Sequence, residues 1–175
     1  MAMLALASIR LWSAPQAHAD SRQVSDLLSQ AKTQAAQLSR DASDMEAFSH
    51  MSVSWQAHAN QINSIRSDVN DTGKTVAKLN QAQEEAAPWQ KTAIDRINPL
   101  LRELADNVSA TINHLDKEQG KFLNNAEHQE YLKTNADLAG RMSALISDFV
   151  DYGQTRAKFR ELSRKLELSE RGGHE

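Results

Sequence analysis

The sequence predicts an all-α fold: an antiparallel up-down-up-down four-helix bundle of long, coiled-coil-like helices. The first observation is a register of apolar residues at alternating three- and four-residue steps. Ile62, Ile65, Val69, Thr72, Val76 and Leu79 form one series, and Ile94, Ile97, Leu101, Leu104, Val108, Thr111 and Leu115 a second. Tyr131, Asn135, Leu138, Met142, Leu145, Phe149 and Tyr152 form a third. Steps of three and four place each series on one side of a helix, which must bury that stripe against a partner. The second observation is composition: aromatics make up 5% of the chain and charged residues 25%, which suits narrow seams rather than a thick core.

The first helix starts near Asp20 or Ser21, either of which can cap it, and carries Val24, Leu28, Ala31, Ala35, Leu38, Ala42 and Met45 on one face. Its stripe is rich in alanine, so it approaches its neighbours closely. The register slips across Ser49 to Ser54, which reads as a turn, because Trp55 opens the next series out of phase with Met45. A single helix from Ser21 to Ala86 is the rival reading.

The second helix is expected from about Val53 to Ala86. Asn70 to Gly73 (NDTG) has the composition of a turn, but the stripe stays in phase on both sides, so the helix continues through it. Pro88 marks the next boundary, being tolerated in a first turn and unfavourable to helical geometry in the residue before it. The third helix runs to about Glu118, with Pro99 as a kink rather than an end, since Leu101 and Leu104 keep register with Ile94 and Ile97. Gly120 closes it, and Asn124 or Asn125 caps the fourth helix, which continues to about Leu168. At ~1.5 Å per residue the fourth helix outlasts the third by enough to overhang the bundle.

The chain thus divides into a signal-peptide-like segment (1–19), a helical bundle (20–168) and a disordered tail (169–175). Met3 to Trp12 is mostly apolar, and Ala17-His18-Ala19 offers the small-x-small pattern of a signal peptidase site, with Asp20 opening the mature chain. No basic residue precedes the apolar run and Arg10 interrupts it, departures that an upstream start would explain. The expected location is periplasmic or secreted, in a bacterial envelope; the alternative is a tail on a cytoplasmic protein. No other segment approaches the ~20 apolar residues of a membrane span, so none is expected in the mature chain. A formal net charge of −3 implies no general attraction to nucleic acid, and none is expected as partner. With no cysteine, disulfides, thiolate chemistry and covalent c-type haem attachment are excluded.

Motifs for catalysis fail on inspection. Gly73-Lys74-Thr75 lacks the glycine five residues upstream, where Asp68 stands, and has no preceding strand for a phosphate loop. The calcium-loop pattern from Asp68 ends on Leu79, where a bidentate carboxylate is needed. There is no Glu-x-x-His pair for a di-iron site, and although Met45, Met142 and His114 are candidate haem ligands, the tight seam leaves no room for the ring. No strained nucleophile turn accommodates a Ser/His/Asp arrangement. Tyr131, Phe149, Tyr152 and Phe159 at helical spacing read as core rather than as a stacking platform for bases. Arg156, Lys158, Arg160, Arg164 and Lys165, interleaved with Glu161 and Glu167, read as a solvated helix end that complements the macrodipole. The sequons at Asn70 and Asn107 matter only in a eukaryotic secretory context.

One constellation stands out. If successive helices run antiparallel, counting outward from the turns near Ala87 and Gly120 brings His58, His114 and His128 to one level, with His50, Glu118, Glu127 and Glu130 at the same end. Such groups are candidates for a metal site or a pH-sensitive latch, although the histidines lack motif-like spacing. The expected function is therefore non-enzymatic, with no cofactor and no assigned metal. An exported bundle would act by binding a protein partner or by forming a homo-oligomer in the cell envelope. Phe159, Leu162 and Leu166, beyond the cover of the other helices, would be the association surface. The alternative is a small-molecule or metal-ion binding bundle that uses the histidine-rich end.

Overall fold

The computed structural model describes residues 19–49, 54–118 and 126–172. All regular structure among them is helical: α1 (Arg22–Phe48), α2 (Trp55–Gln81), a short 3-10 turn (Gln83–Glu85), α3 (Pro88–Lys117) and α4 (Ala126–Gly172). No strand occurs among the described residues. Each helix packs against two others, α1 on α2 and α4, and α3 on α2 and α4, so the four enclose one shared core.

Local chemistry accounts for the boundaries. Ser21 caps α1, its hydroxyl accepting from the Val24 N–H at 3.4 Å, and Ser54 caps α2 by accepting from Ala57 at 3.3 Å. A serine in that position stabilises a helix by ~1 kcal/mol relative to alanine. The rival of one continuous first helix does not hold, since α1 ends at Phe48 and α2 opens from an extended Ser54; residues 50–53 between them lie outside the described residues. α2 runs unbroken through Asn70 to Gly73 but stops at Gln81, five residues before the expected Ala86. The chain there tightens into the 3-10 turn, a usual way to satisfy the last carbonyls of a helix. Ala87 has no side-chain acceptor for an N-cap, so Gln90 supplies the bond: its Oε1 accepts from the Ala87 N–H at 2.9 Å, with Pro88 in the first turn. α3 continues through Pro99. α4 extends to Gly172, past the expected end at Leu168. The expected closing Gly120 and caps Asn124 and Asn125 lie outside the described residues.

The core follows the predicted stripes closely in α1 and α2. Val24, Leu28, Ala31, Ala35, Leu38, Ala42 and Met45 are all buried, as are Ile62, Ile65, Val69, Val76 and Leu79. Ile94, Ile97, Leu104, Val108 and Leu115 bury in α3, while Leu101 is only partly covered. In α4 the predicted series needs correction. The buried row is His128, Leu132, Asn135, Leu138, Ala139, Met142, Ile146 and Val150, whereas Leu145 and Phe149 are partly buried and Tyr152 is exposed. A strict seven-residue repeat drifts ~20° per heptad on a straight α-helix, so a row that begins at Tyr131 has rotated off the core by Tyr152.

Polar contacts fix how the seams meet. Asn107 donates to the Tyr131 carbonyl and to Asn135 Oδ1, at 3.0 and 2.9 Å, and the buried Asn135 donates in turn to Thr111 Oγ1 at 3.0 Å. Sliding α4 against α3 would leave these groups unpaired inside the seam, at ~1–3 kcal/mol each. Gln90, fully buried, also donates to the Ser21 carbonyl at 2.8 Å and accepts from the Ser21 N–H at 3.0 Å, joining the start of α3 to the start of α1.

Candidate functional site

The three histidines are brought together. His58 enters from the first turn of α2, His114 from the last turn of α3 and His128 from the first turn of α4. The His58 and His128 rings lie edge to face at 5.5 Å between centroids, and His114 stacks on His128 at 6.0 Å. Tyr131, one turn after His128, packs against His114 at 5.3 Å. Glu127 sits at the mouth of the cluster, its Oε1 3.9 Å from His114 Nδ1. His50 lies outside the described residues.

Burial keeps two of the three rings short of charge. His58 and His128 are both buried. Burial holds His58 below the usual imidazole range. Burial, reinforced by the neighbouring His58 and His114, brings His128 down to about 4. At neutral pH His128 is therefore an uncharged packing group. Ring stacks against ring, and among the described residues no group of three or more His, Asp or Glu side chains is arranged to hold a metal ion.

The opposite end of the bundle is built differently. Asp20, just before α1, accepts from Trp89 Nε1 at 2.8 Å and pairs with Arg160 of α4, while Arg156 approaches it at 3.9 Å. Trp89 lies edge to face with Tyr152 at 5.5 Å and rests on α4 at Gly153. A Cβ on Gly153 would stand 2.6 Å from the Trp89 ring, so glycine is required there for close approach rather than for backbone freedom. Asp20, Trp89, Gly153 and Arg160, with Leu28 and Val150, border a cleft of about 380 Å³.

α4 extends past this junction, and it is the longest helix among the described residues. It has 47 residues against 30 for α3, or ~70 Å against ~45 Å. Phe159 is 70% exposed, Leu162 50% and Leu166 67%, and Tyr152, on the same side, is 46% exposed. A further apolar residue, Leu168, is exposed on another side of the helix.

Sequence reasoning missed two groups. Asp68 on α2 is raised to about 6 by burial, by a hydrogen bond with Asp41 of α1, and by the charges of Asp41 and Asp71. The Asp20, Trp89 and Gly153 junction had one sequence signal, a glutamine three residues after Ala87 with Pro88 between them; the approach of Trp89 to Gly153 had none.

No family model matches the chain, and neither a curated protein nor a solved structure does. Function must therefore be read from the geometry. No described helix is long and apolar enough to cross a membrane.

Proposed function

We propose that this protein is a non-enzymatic, exported helical bundle that works by protein association in the cell envelope, through the free length of α4. The observation that carries this reading is the exposed row Phe159, Leu162 and Leu166, set at helical spacing on a stretch that outruns the other helices. Burying three such side chains contributes about 5 kcal/mol before the costs of association, enough for a reversible contact and too little for a permanent one. Export rests on the signal-like pattern from Met3 to Ala19.

The proposed topology is up-down-up-down, with coiled-coil-like seams. Lys32 in the first half of α1 pairs with Asp151 just past the middle of α4 at 2.7 Å, and Asn107 in the second half of α3 meets Asn135 early in α4. Both contacts fit antiparallel neighbours.

The test is a triple variant, Phe159→Ser with Leu162→Gln and Leu166→Gln. Sedimentation of the purified proteins and capture from envelope extracts should show association by the wild type and none by the variant, with helicity and melting temperature preserved. A strictly monomeric wild type that captures nothing, together with a marked stability loss in the variant, would mean that the row is covered within one chain and would end the proposal.

A further inference from the structure

We propose that the cleft between the start of α1 and α4 binds a small organic carboxylate with an apolar body. The site follows from what α4 carries on its core-facing side. Within the bundle that side is filled by Met142, Ile146 and Val150. At ~100° per residue the same side continues as Gly153, Ala157, Arg160 and Arg164. Two small residues thus replace large ones beside the starts of α1 and α3, and the space they leave is the cleft of about 380 Å³. Protein interiors are close-packed, and a larger side chain at the exposed Ala157 would fill this space if closing the bundle were the only requirement. The Phe159, Leu162 and Leu166 row lies on the opposite side of α4, so the site does not depend on the association proposed above.

The lining selects the class of ligand. Leu28, Val150, Ala157 and the Trp89 ring give it apolar surface for a ligand body. The Ser25 and Ser29 hydroxyls, also in the lining, each donate to a backbone carbonyl one turn earlier, at 3.0 and 2.9 Å. The donors that remain are the Gln154 amide and the guanidiniums of Arg160 and Arg164. Asp20 is the acidic group facing these two cations, and Arg156 approaches it from outside the cleft at 3.9 Å. Nearby carboxylates are engaged elsewhere: Asp151 pairs with Lys32 at 2.7 Å and Glu161 with Lys165 at 2.6 Å. The lining therefore carries a surplus of positive charge. Asp20 on Arg160, beside the indole, is the pairing that a ligand carboxylate would extend, because a guanidinium has five donors and one carboxylate leaves some of them unused. A cavity near the lower end of the ~300–1,000 Å³ range of ligand pockets suits a metabolite-sized molecule rather than a peptide helix. Inorganic phosphate would leave the apolar lining unused.

The test is a titration of the full chain with three probes that share one body: naphthoate, naphthylmethanol and naphthylmethylammonium. Binding is followed by nuclear magnetic resonance at the indole N–H of Trp89, which Trp89→Phe identifies among the three tryptophans. Naphthoate should shift that signal and bind about tenfold tighter than the alcohol, with the ammonium weakest. Arg164→Gln should remove most of that advantage, and Ala157→Leu should abolish binding by filling the cleft, both with helicity unchanged by circular dichroism. The Phe159, Leu162, Leu166 variant should bind naphthoate as wild type does. Equal affinity for the three probes overturns the inference, as does an absence of binding in the millimolar range. So does naphthoate binding that the row variant loses while Arg164→Gln and Ala157→Leu keep it. None of these results decides the association reading, which stands or falls by the row variant in sedimentation and capture.

Discussion

Acidification should move stability through two opposed groups, and single substitutions should separate them. Between about pH 6.5 and 4 the unfolded chain binds a proton at His128 that the folded chain refuses, because the folded value is about 4. Stability therefore falls as pH falls through that window. A displacement of this size corresponds to about 2–3 kcal/mol, fully lost near pH 4. Asp68 works the other way. Its folded value of about 6 lies above the ordinary carboxyl value of 3.8, so the folded chain takes the proton first and stability rises as pH falls from about 6 to 4. Asp68 is only partly buried, and screening reduces its share to about 1–2 kcal/mol. Wild type should then lose about 1 kcal/mol between pH 7 and 4 from these two groups together.

Urea unfolding followed by far-ultraviolet circular dichroism, at half-unit steps from pH 7 to 4, reads each contribution against wild type. Relative to wild type, Asp68→Asn should steepen the loss by about 1–2 kcal/mol, because the compensating protonation is gone. His128→Gln should convert the loss into a flat or rising profile. Other carboxylates cancel in the comparison. If both variants parallel wild type across the window, neither group differs between folded and unfolded chains, and the description of the surroundings of His128 and Asp68 is wrong.

Gly73→Ala should stabilise the protein by about 0.5–1 kcal/mol in the same urea assay, since a Cβ there meets nothing within 4 Å and the helix gains propensity. Gly153→Ala should destabilise it by about 1–3 kcal/mol, because Trp89 can retreat from the new methyl only by giving up its bond to Asp20; a red shift in tryptophan emission would accompany the loss. Zinc, copper or nickel at up to tenfold excess should leave the melting temperature unchanged, given rings that stack rather than converge; a clear rise in melting temperature would instead support a metal-binding histidine end.

The helices were legible because their stripes are long and regular, and burial of a stripe is what a helix in a bundle must achieve. The histidine end was legible for a related reason: in helices joined by short turns, counting from each turn fixes the level of every residue, and His58, His114 and His128 count to one level. Rotation about an axis is harder to read than level along it. The α4 stripe went astray there, because a heptad row and a straight helix part company within three repeats, and Ile146 and Val150 took the core positions assigned to Leu145 and Phe149. Asp68 was illegible for another reason. Its shift depends on Asp41 of a different helix, and a pair made across a seam leaves no local pattern in either segment.

The two ends of the bundle solve opposite problems with the same scaffold. At one end, helices that begin and finish together must hide polar rings, and His58 and His128, packed on each other and held below the usual imidazole range by burial, do so without the desolvation cost of a buried charge. At the other end the helices do not finish together. Asp20 and Trp89 close the shared core over Gly153, and beyond that closure α4 carries Phe159, Leu162 and Leu166 exposed among the described residues. A bundle needing only to be stable could end α4 near Arg160, where its neighbours end. The chain instead carries a helix onward to Gly172 with Phe159, Leu162 and Leu166 on one side. Such a row adds nothing to the shared core among the described residues, and it is the surface that the proposed association would cover.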